Sequence, residues 1–204
     1  MHQILEQVVQ SLRSTIVTLP KPKVVVEALL QMEKIARSKK SQTDKQDQAR
    51  DVFQQLMGTW QLGFITYKRA RYEPKKVVLG AGIFIPPWVK IHLSYFSKNL
   101  ADGQGTVENS VKLGLLKIVL KGPVQFYTKT NILMFDFTHM DAYFSGWQLY
   151  TGYIRNGIKR EKYFYKKALK EQAFFSYFLV ENNFIAARGK GGGLALWTKS
   201  MNNV

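Results

Sequence analysis

The residues best suited to chemistry in this sequence are a histidine and two carboxylates, in Asp136-Phe137-Thr138-His139-Met140-Asp141. An imidazole beside carboxylates can hold a metal ion or carry out general acid–base catalysis. The other histidines, His2 and His92, are distant in sequence, so no second imidazole ligand lies nearby. Such weak spacing favours a strand end with solvated polar side chains. We predict no metal site and no catalytic residue here.

A glycine-rich segment is the second candidate, because glycines around a lysine can cradle a phosphate. The segment Gly189-Lys190-Gly191-Gly192-Gly193 lacks the hydroxyl residue after the lysine, and a strand-like run follows it instead of a helix. We therefore predict a hairpin turn. The sequence also has no Gly-x-Ser-x-Gly nucleophile elbow and no cysteine. The residues identify no cofactor, and we predict a protein that is not an enzyme.

Aromatic side chains are the third candidate, because many of them lie on adjacent predicted strands between residues 126 and 153. A barrel of about eight strands has interior room for side chains or for one small ligand. A packed core explains most of these rings, but we predict that a subset lines a ligand cavity. The predicted ligand-binding residues are Phe126, Phe135, Phe137, Tyr143, Trp147 and Tyr150.

The charge is strongly positive: 30 Lys and Arg against 14 Asp and Glu give +16. An excess of this size favours a polyanionic partner. Cations beside aromatic rings suit an anionic lipid surface, where each contributes about 1 kcal/mol, and they also suit single-stranded nucleic acid. The predicted residues for an anionic surface are Lys68, Arg69, Arg71, Lys75, Lys76, Lys159, Arg160, Lys162, Lys166 and Lys167.

Apolar periodicity divides the chain near Gly58. Three- and four-residue spacing predicts amphipathic helices over residues 4–16 and 24–36, with a third helix from 43 to about 57. Beyond it, period-two alternation in eight to ten short segments predicts a sandwich or a barrel. The predicted fold is α+β, with an N-terminal helical segment (1–57) as a small bundle or a lid, and an antiparallel β-barrel (58–204).

Two short motifs predict that the sheet closes on itself. Gly58-Thr59-Trp60 begins the first strand, and Arg188-Gly189 lies near the end of the chain. A guanidinium can lie over an indole face while its N–H groups reach nearby carbonyls. We therefore expect Arg188 to lie over Trp60, as a structural closure of the barrel floor.

The same motifs resemble those of a known protein family. The Gly58-x-Trp60-x-Leu62 start, Val107-Glu108-Asn109 in mid-chain and the Arg188-Gly189 turn resemble the plastid lipid-associated proteins, or plastid fibrillins, over residues 56–198. The resemblance implies a lipocalin-like barrel that binds an isoprenoid, carotenoid, tetrapyrrole or lipid. It also implies a location peripheral to thylakoids, on the cytoplasmic or plastid stromal side. Its signature residues are Gly58, Trp60, Asn109, Arg188 and Gly189.

Other functions remain open alternatives. A basic protein of this kind could dock on an acidic protein complex, such as a photosynthetic antenna assembly. Nucleic-acid binding ranks below both, because the resemblance favours a membrane. A pigment lyase ranks lower still, since only the analogy of folds suggests it.

Overall fold

The computed structural model describes residues 2–13, 18–40, 52–67 and 79–200. The helices are α1 (His2–Arg13), α2 (Pro22–Lys40), α3 (residues 52–56) and α4 (Gly157–Lys162), and two 3₁₀ turns follow, Phe164–Lys166 and Leu169–Glu171. The strands are β1 (Gly58–Ile65), β2 (Ile83–Phe84), β3 (Val89–Asn99), β4 (Gln104–Leu113), β5 (Leu116–Tyr127), β6 (Ile132–Phe135), β7 (His139–Phe144), β8 (Trp147–Tyr153), β9 (Ala173–Val180), β10 (Phe184–Gly189) and β11 (Leu194–Lys199).

Eight of these strands close into a barrel. Their order around the ring is β4, β3, β1, β11, β10, β9, β6 and β5, and β5 returns to pair with β4. All these pairings are antiparallel. Closure pairs the N–H and C=O groups that an open sheet would leave at its edges. The predicted α+β fold with an antiparallel β-barrel is therefore confirmed.

The strand β5 has different partners along its length, and this gives the sheet a branch. Its C-terminal part pairs with β6 inside the ring, whereas residues 116–121 pair with β7, which in turn pairs with β8. A Cβ atom at Gly122 would lie 1.8 Å from the carbonyl oxygen of Asp136, so glycine lets the chain cross close to β5 between β6 and β7. We name the protruding part, formed by β7, β8 and residues 89–92, 108–113 and 116–121, the extension.

The barrel interior is filled by apolar side chains. All eight ring strands contribute to one cluster, which contains Trp60, Leu93, Tyr95, Val107, Val124, Phe126, Leu133, Phe135, Tyr177, Ile185, Ala187 and Trp197. Phe53 and Leu56 of α3 enter the same cluster, and the ring of Phe53 stacks on that of Phe126 at 5.1 Å. The helix α3 therefore closes the end of the barrel where β1 begins, which we name the closed end.

A second core lies outside the barrel. The buried faces of α1 and α2, including Leu5, Val8 and Leu29, pack on β1, β9, β10 and β11. A bulge in β1 between Leu62 and Phe64 makes this possible, because an extra residue changes the face to which later side chains point. Trp60 therefore points into the barrel, whereas Phe64 joins the outer core. Thus α1 and α2 cover the wall of the barrel, and α3 covers the closed end.

Candidate ligand and surface sites

The end of the barrel opposite α3 carries a layer of aromatic rings, which we name the mouth cluster: Phe135, Phe137, Phe175 and Trp197. The ring centroids of Phe135 lie 5.3 Å from Phe137 and 5.0 Å from Phe175, and Phe175 lies 5.3 Å from Trp197. Phe135 and Trp197 are buried, whereas Phe137 and Phe175 are half-buried. These two rings offer apolar surface on which a small molecule can pack.

A polar pair lies deeper in the barrel. The hydroxyls of Tyr95 and Tyr177 are hydrogen-bonded at 2.7 Å, and both side chains are fully buried. Burial is the main cause that raises the pKa of each phenol above its usual value. Both tyrosines are therefore protonated at neutral pH. One hydroxyl donates and the other accepts, so neither oxygen is left without a hydrogen bond in the apolar core.

The six predicted ligand-binding residues divide between two places. Phe126 and Phe135 belong to the barrel core, and Phe137 packs against it. In contrast, the other three lie on the extension outside the ring, where Trp147 and Tyr150 are exposed and Tyr143 is half-buried. The structure thus does not bring the six into one cavity.

Sequence reasoning missed Phe175 and Trp197, although both belong to the mouth cluster. The alternation along β9 was a usable signal, since Phe175 precedes the inward-facing Tyr177 by two positions.

The expected contact between Arg188 and Trp60 is wrong. Lys199 lies over the indole instead, with its Nζ 4.1 Å from the ring centroid, because β1 and β11 pair Trp60 with Lys199. The same Nζ donates a hydrogen bond to the carbonyl of Met57 at 2.7 Å, and burial lowers the pKa of Lys199. The indole N–H of Trp60 donates to the carbonyl of Leu56 at 2.7 Å. Lysine, not arginine, therefore completes the closed end.

Arg188 instead attaches α2 to the barrel. Its Nε and Nη2 both donate to the carboxylate of Glu33, with Nε 2.7 Å from Oε1, and its Nη1 donates to the carbonyl of Gly192. Arg37 also donates to Glu33, at 2.7 Å. Burial alone raises the pKa of Glu33, but the hydrogen bonds and charges of Arg188 and Arg37 outweigh it, and that pKa is lowered. This ion-pair network is structural.

The remaining signature residues have separate positions. Gly58 begins β1 with a φ of 102°, a conformation that favours glycine. Gly189 ends β10 and opens the predicted glycine hairpin turn, where its N–H donates to the carbonyl of Gly193 at 2.9 Å. Asn109 is half-buried between Leu93 and Leu120 on neighbouring strands. Of these three residues, Asn109 is the one with a polar side chain, and it lies where β4 enters the extension.

The inner face of the barrel continues onto the extension. Alternate residues of a strand share a face, so the inward positions of β4 continue from Val107 through Asn109, Val111 and Leu113. On β5 the same face runs from Val124 to Leu120, Ile118 and Leu116, and on β3 from Leu93 to Ile91 and Val89. We name this face the inner stripe. It is apolar apart from Asn109 and leads from the barrel interior to the end of the extension.

Each carboxylate near His139 has a cationic partner. Asp141 accepts hydrogen bonds from Lys121 at 2.8 Å and from Thr151 at 2.6 Å, and Asp136 pairs with Arg160. Burial acts to raise the pKa of Asp141, but these partners lower it. Across the residues that the structure describes, no group of three or more His, Cys, Asp and Glu side chains could hold a metal ion.

The structure describes only one of the two predicted basic clusters. Lys68, Arg69, Arg71, Lys75 and Lys76 lie outside the described residues. On and after α4, Lys159, Lys162 and Lys166 are exposed and Lys167 is half-buried. Arg160 is held by Asp136, whereas the Nζ of Lys166 lies 5.9 Å from the ring centroid of exposed Tyr163. We name Lys159, Lys162 and Lys166 the α4 cluster.

These features define a closed eight-stranded antiparallel β-barrel with a packed interior, an outer pair of helices and a protruding extension. The sequence matches no protein-family model, and a search of curated proteins finds no match either. Within the described ranges, no helix has the length and apolar character to cross a membrane.

Proposed function

We propose that this protein binds a small apolar molecule without catalysis, while it is associated with an anionic membrane surface. The barrel is compatible with small-ligand binding. The observation that carries the proposal is the inner stripe, since it joins the mouth cluster to an exposed edge through apolar side chains. A molecule that leaves a bilayer and follows this stripe would remain in contact with apolar surface.

The mouth cluster is the proposed ligand site, because the interior below it is already filled. Phe137 and Phe175 present half-buried rings, and Leu62 and Ala195 pack half-buried against the same core. An extended or planar apolar molecule, such as an isoprenoid, carotenoid, tetrapyrrole or lipid, has the surface to cover them. Asn109 supplies a polar contact for a ligand headgroup.

The proposed membrane association draws on the net charge of +16 and on the exposed lysines of the α4 cluster. The resemblance to plastid lipid-associated proteins belongs to the same proposal: a lipocalin-like barrel, peripheral to a thylakoid membrane. The closed barrel with Gly58 and Trp60 at the start of its first strand supports it.

The proposal is tested by titrating the purified protein with a carotenoid and with a fluorescent fatty acid. Binding is followed by quenching of tryptophan fluorescence, since Trp197 belongs to the mouth cluster. We expect Phe137→Ala to weaken binding by on the order of 10-fold, because a half-buried ring contact is lost. The matched control is Phe96→Ala, at an exposed aromatic residue elsewhere on the barrel.

Two results would count against the proposal. Equal affinity of wild type and Phe137→Ala would remove the mouth cluster as the site. If neither probe binds and no apolar compound is extracted from the protein after purification, ligand binding itself is rejected.

A further inference from the structure

The end of the extension is a continuous apolar row that crosses five strands. The Cα pairings run from Val89 to Leu113, from Leu113 to Leu116, from Leu116 to Phe144 and from Phe144 to Trp147. Strand partners lie about 5 Å apart, so these side chains form one edge. The row depends on the register of four strand pairs, so the period-two pattern of a single strand cannot reveal it.

Large apolar side chains at this edge are exposed to solvent. The exposed fractions are 79% for Trp147, 67% for Trp88 and Leu149, 62% for Leu115, 51% for Phe144 and 46% for Leu113. We name these six residues the apolar tip. A soluble protein rarely exposes a contiguous apolar surface of this kind unless the surface contacts a partner or a membrane.

The loops of the apolar tip are short. Only Gly114 and Leu115 connect β4 to β5, and only Ser145 and Gly146 connect β7 to β8. Ser145 and Gly146 have φ values of 51° and 86°, as the two-residue turns of tight hairpins require. The side chains of the tip therefore lie at the ends of hydrogen-bonded hairpins.

A row of lysines lies directly behind the apolar row. Lys90 pairs with Lys112, and Lys112 pairs with Lys117. Like charges directly opposite each other destabilise a sheet, so this row favours an anionic partner. Residues 83–92, 109–120 and 142–151 include no Asp or Glu. Burial, and after it the charges of Lys90 and Lys117, lowers the pKa of the neighbouring His92, as expected near concentrated positive charge.

From this arrangement we infer that the apolar tip inserts into the interface of an anionic lipid bilayer, while Lys90, Lys112 and Lys117 bind the lipid phosphates. This inference rests on the membrane association in the proposed function and specifies the surface that performs it. Consecutive residues of a strand are about 3.3 Å apart, so the lysine row lies at headgroup depth when the tip reaches the acyl boundary. Tryptophan also favours this boundary.

The charge and the exposed tryptophans of the region favour a bilayer over a protein groove. An apolar row backed by a row of paired lysines matches the acyl boundary and the headgroups of an anionic surface. This orientation also turns the inner stripe towards the bilayer, so that an apolar ligand can pass between the membrane and the mouth cluster.

The test is co-sedimentation of the full chain with phosphatidylcholine vesicles, with and without phosphatidylglycerol. We expect binding to the anionic vesicles and little binding to the neutral ones. The triple variant Lys90→Gln/Lys112→Gln/Lys117→Gln should weaken partitioning by on the order of 100-fold. The double variant Trp147→Ser/Leu149→Ser should weaken it by at least about 10-fold.

Matched controls separate the tip from general charge and apolarity. Lys34→Gln/Lys98→Gln/Lys129→Gln removes the same charge at three exposed lysines outside the lysine row and the α4 cluster, and Phe96→Ser/Leu100→Ser removes exposed apolar surface near the opposite end of β3. Both should bind almost as wild type. Anionic vesicles should also shift tryptophan emission to the blue, and brominated lipid should quench it. Both signals should be lost in Trp88→Phe/Trp147→Phe, since Trp60 and Trp197 are buried.

The outcomes distinguish this inference from the proposed function. If wild type binds anionic vesicles and the tip variants bind equally well, the inference is wrong and the membrane association stands. If wild type binds no vesicles, the inference and the membrane association are both wrong, whatever the ligand titration shows. Binding that ignores lipid charge overturns the role of the lysine row. Loss of self-association in the tip variants, without any vesicle binding by wild type, assigns the tip to a contact between copies of this chain.

Discussion

The barrel and the extension share three strands, but apolar side chains are buried in the barrel and exposed at the end of the extension. In the ring, inward residues such as Leu93, Val107 and Val124 are buried, and each has packed neighbours. Further along the same strands, Leu113 and Leu116 occupy the equivalent face and are exposed. Both regions are apolar, and both are built of antiparallel hydrogen-bonded strands. The difference is that, among the residues that the structure describes, no second layer covers the apolar tip of the extension.

This contrast separates residues that stabilise the fold from residues that are available for binding. Burial of one large apolar side chain stabilises a protein by about 1.5–3 kcal/mol. The barrel gains this stabilisation at the positions of its interior and outer cores, whereas the apolar tip does not. Such a tip would gain comparable free energy only upon contact with another apolar phase. The two tryptophans at the extremes, Trp60 and Trp147, make the contrast measurable.

The largest effect is expected for Trp60→Ala. Trp60 is fully buried, its indole N–H satisfies the carbonyl of Leu56, and Lys199 lies over its ring. Truncation leaves a large cavity, so we expect a loss of about 3–5 kcal/mol in the free energy of unfolding. Urea denaturation followed by circular dichroism measures it. A loss below about 1 kcal/mol would show that Trp60 is not a core residue and would remove the contrast.

A smaller effect is expected for Glu33→Gln, which tests how firmly α2 is attached to the barrel. The substitution leaves Arg188 partly buried beside a neutral amide, so we expect a loss of about 2–3 kcal/mol at neutral pH. The effect falls below that for a fully buried pair, because both arginines are partly exposed. Lysine at position 188 retains the charge but not the paired hydrogen bonds, and should give an intermediate loss.

The pH dependence of this network has a definite sign. The folded-state pKa of Glu33 lies below its ordinary value of 4.5. Its contribution is therefore fully present above pH 4.5 and is lost as the pH falls through the lowered pKa. The stability difference between wild type and Glu33→Gln should shrink under acid conditions. A difference that stays constant from neutral to strongly acid pH would contradict the ion-pair interpretation.

The sequence predicts the local features of the fold well. Alternation in β1, with Trp60 and Leu62 on one face, and the number of short apolar segments predict a sandwich or a barrel. The choice of a barrel came from the resemblance and from the expected contact of Arg188 with Trp60. The hairpin turn after Gly189 followed from its glycines alone. The alternation and the turn each depend on residues close together in the chain, where backbone preference and periodicity act directly.

Features that depend on pairing between distant strands were not predictable. The cation over Trp60 is Lys199 because of the register of β1 and β11, and Arg188 reaches Glu33 across 155 residues. The extension exists because β5 changes its partner from β7 to β6 at Gly122. This change leaves no period-two signal in the sequence. For the same reason the exposed Trp147 was assigned to a ligand cavity. Phe144, Leu149 and Tyr150 lie near it in the sequence, and only the topology places it on the extension, where its side chain is 79% exposed.

The smallest effect on stability is expected for Trp147→Ala. Its side chain is 79% exposed at the apolar tip, so its truncation should change the free energy of unfolding by less than about 0.5 kcal/mol. The same denaturation experiment that detects Trp60→Ala measures it. A destabilisation above about 2 kcal/mol would show that the extension contributes to folding through Trp147. A negligible change, combined with a loss of vesicle binding, would show that this residue is retained for an interaction outside the folded chain. Two tryptophans of one sheet would then differ in their contribution to stability, because Trp60 packs in the barrel core and Trp147 projects into solvent.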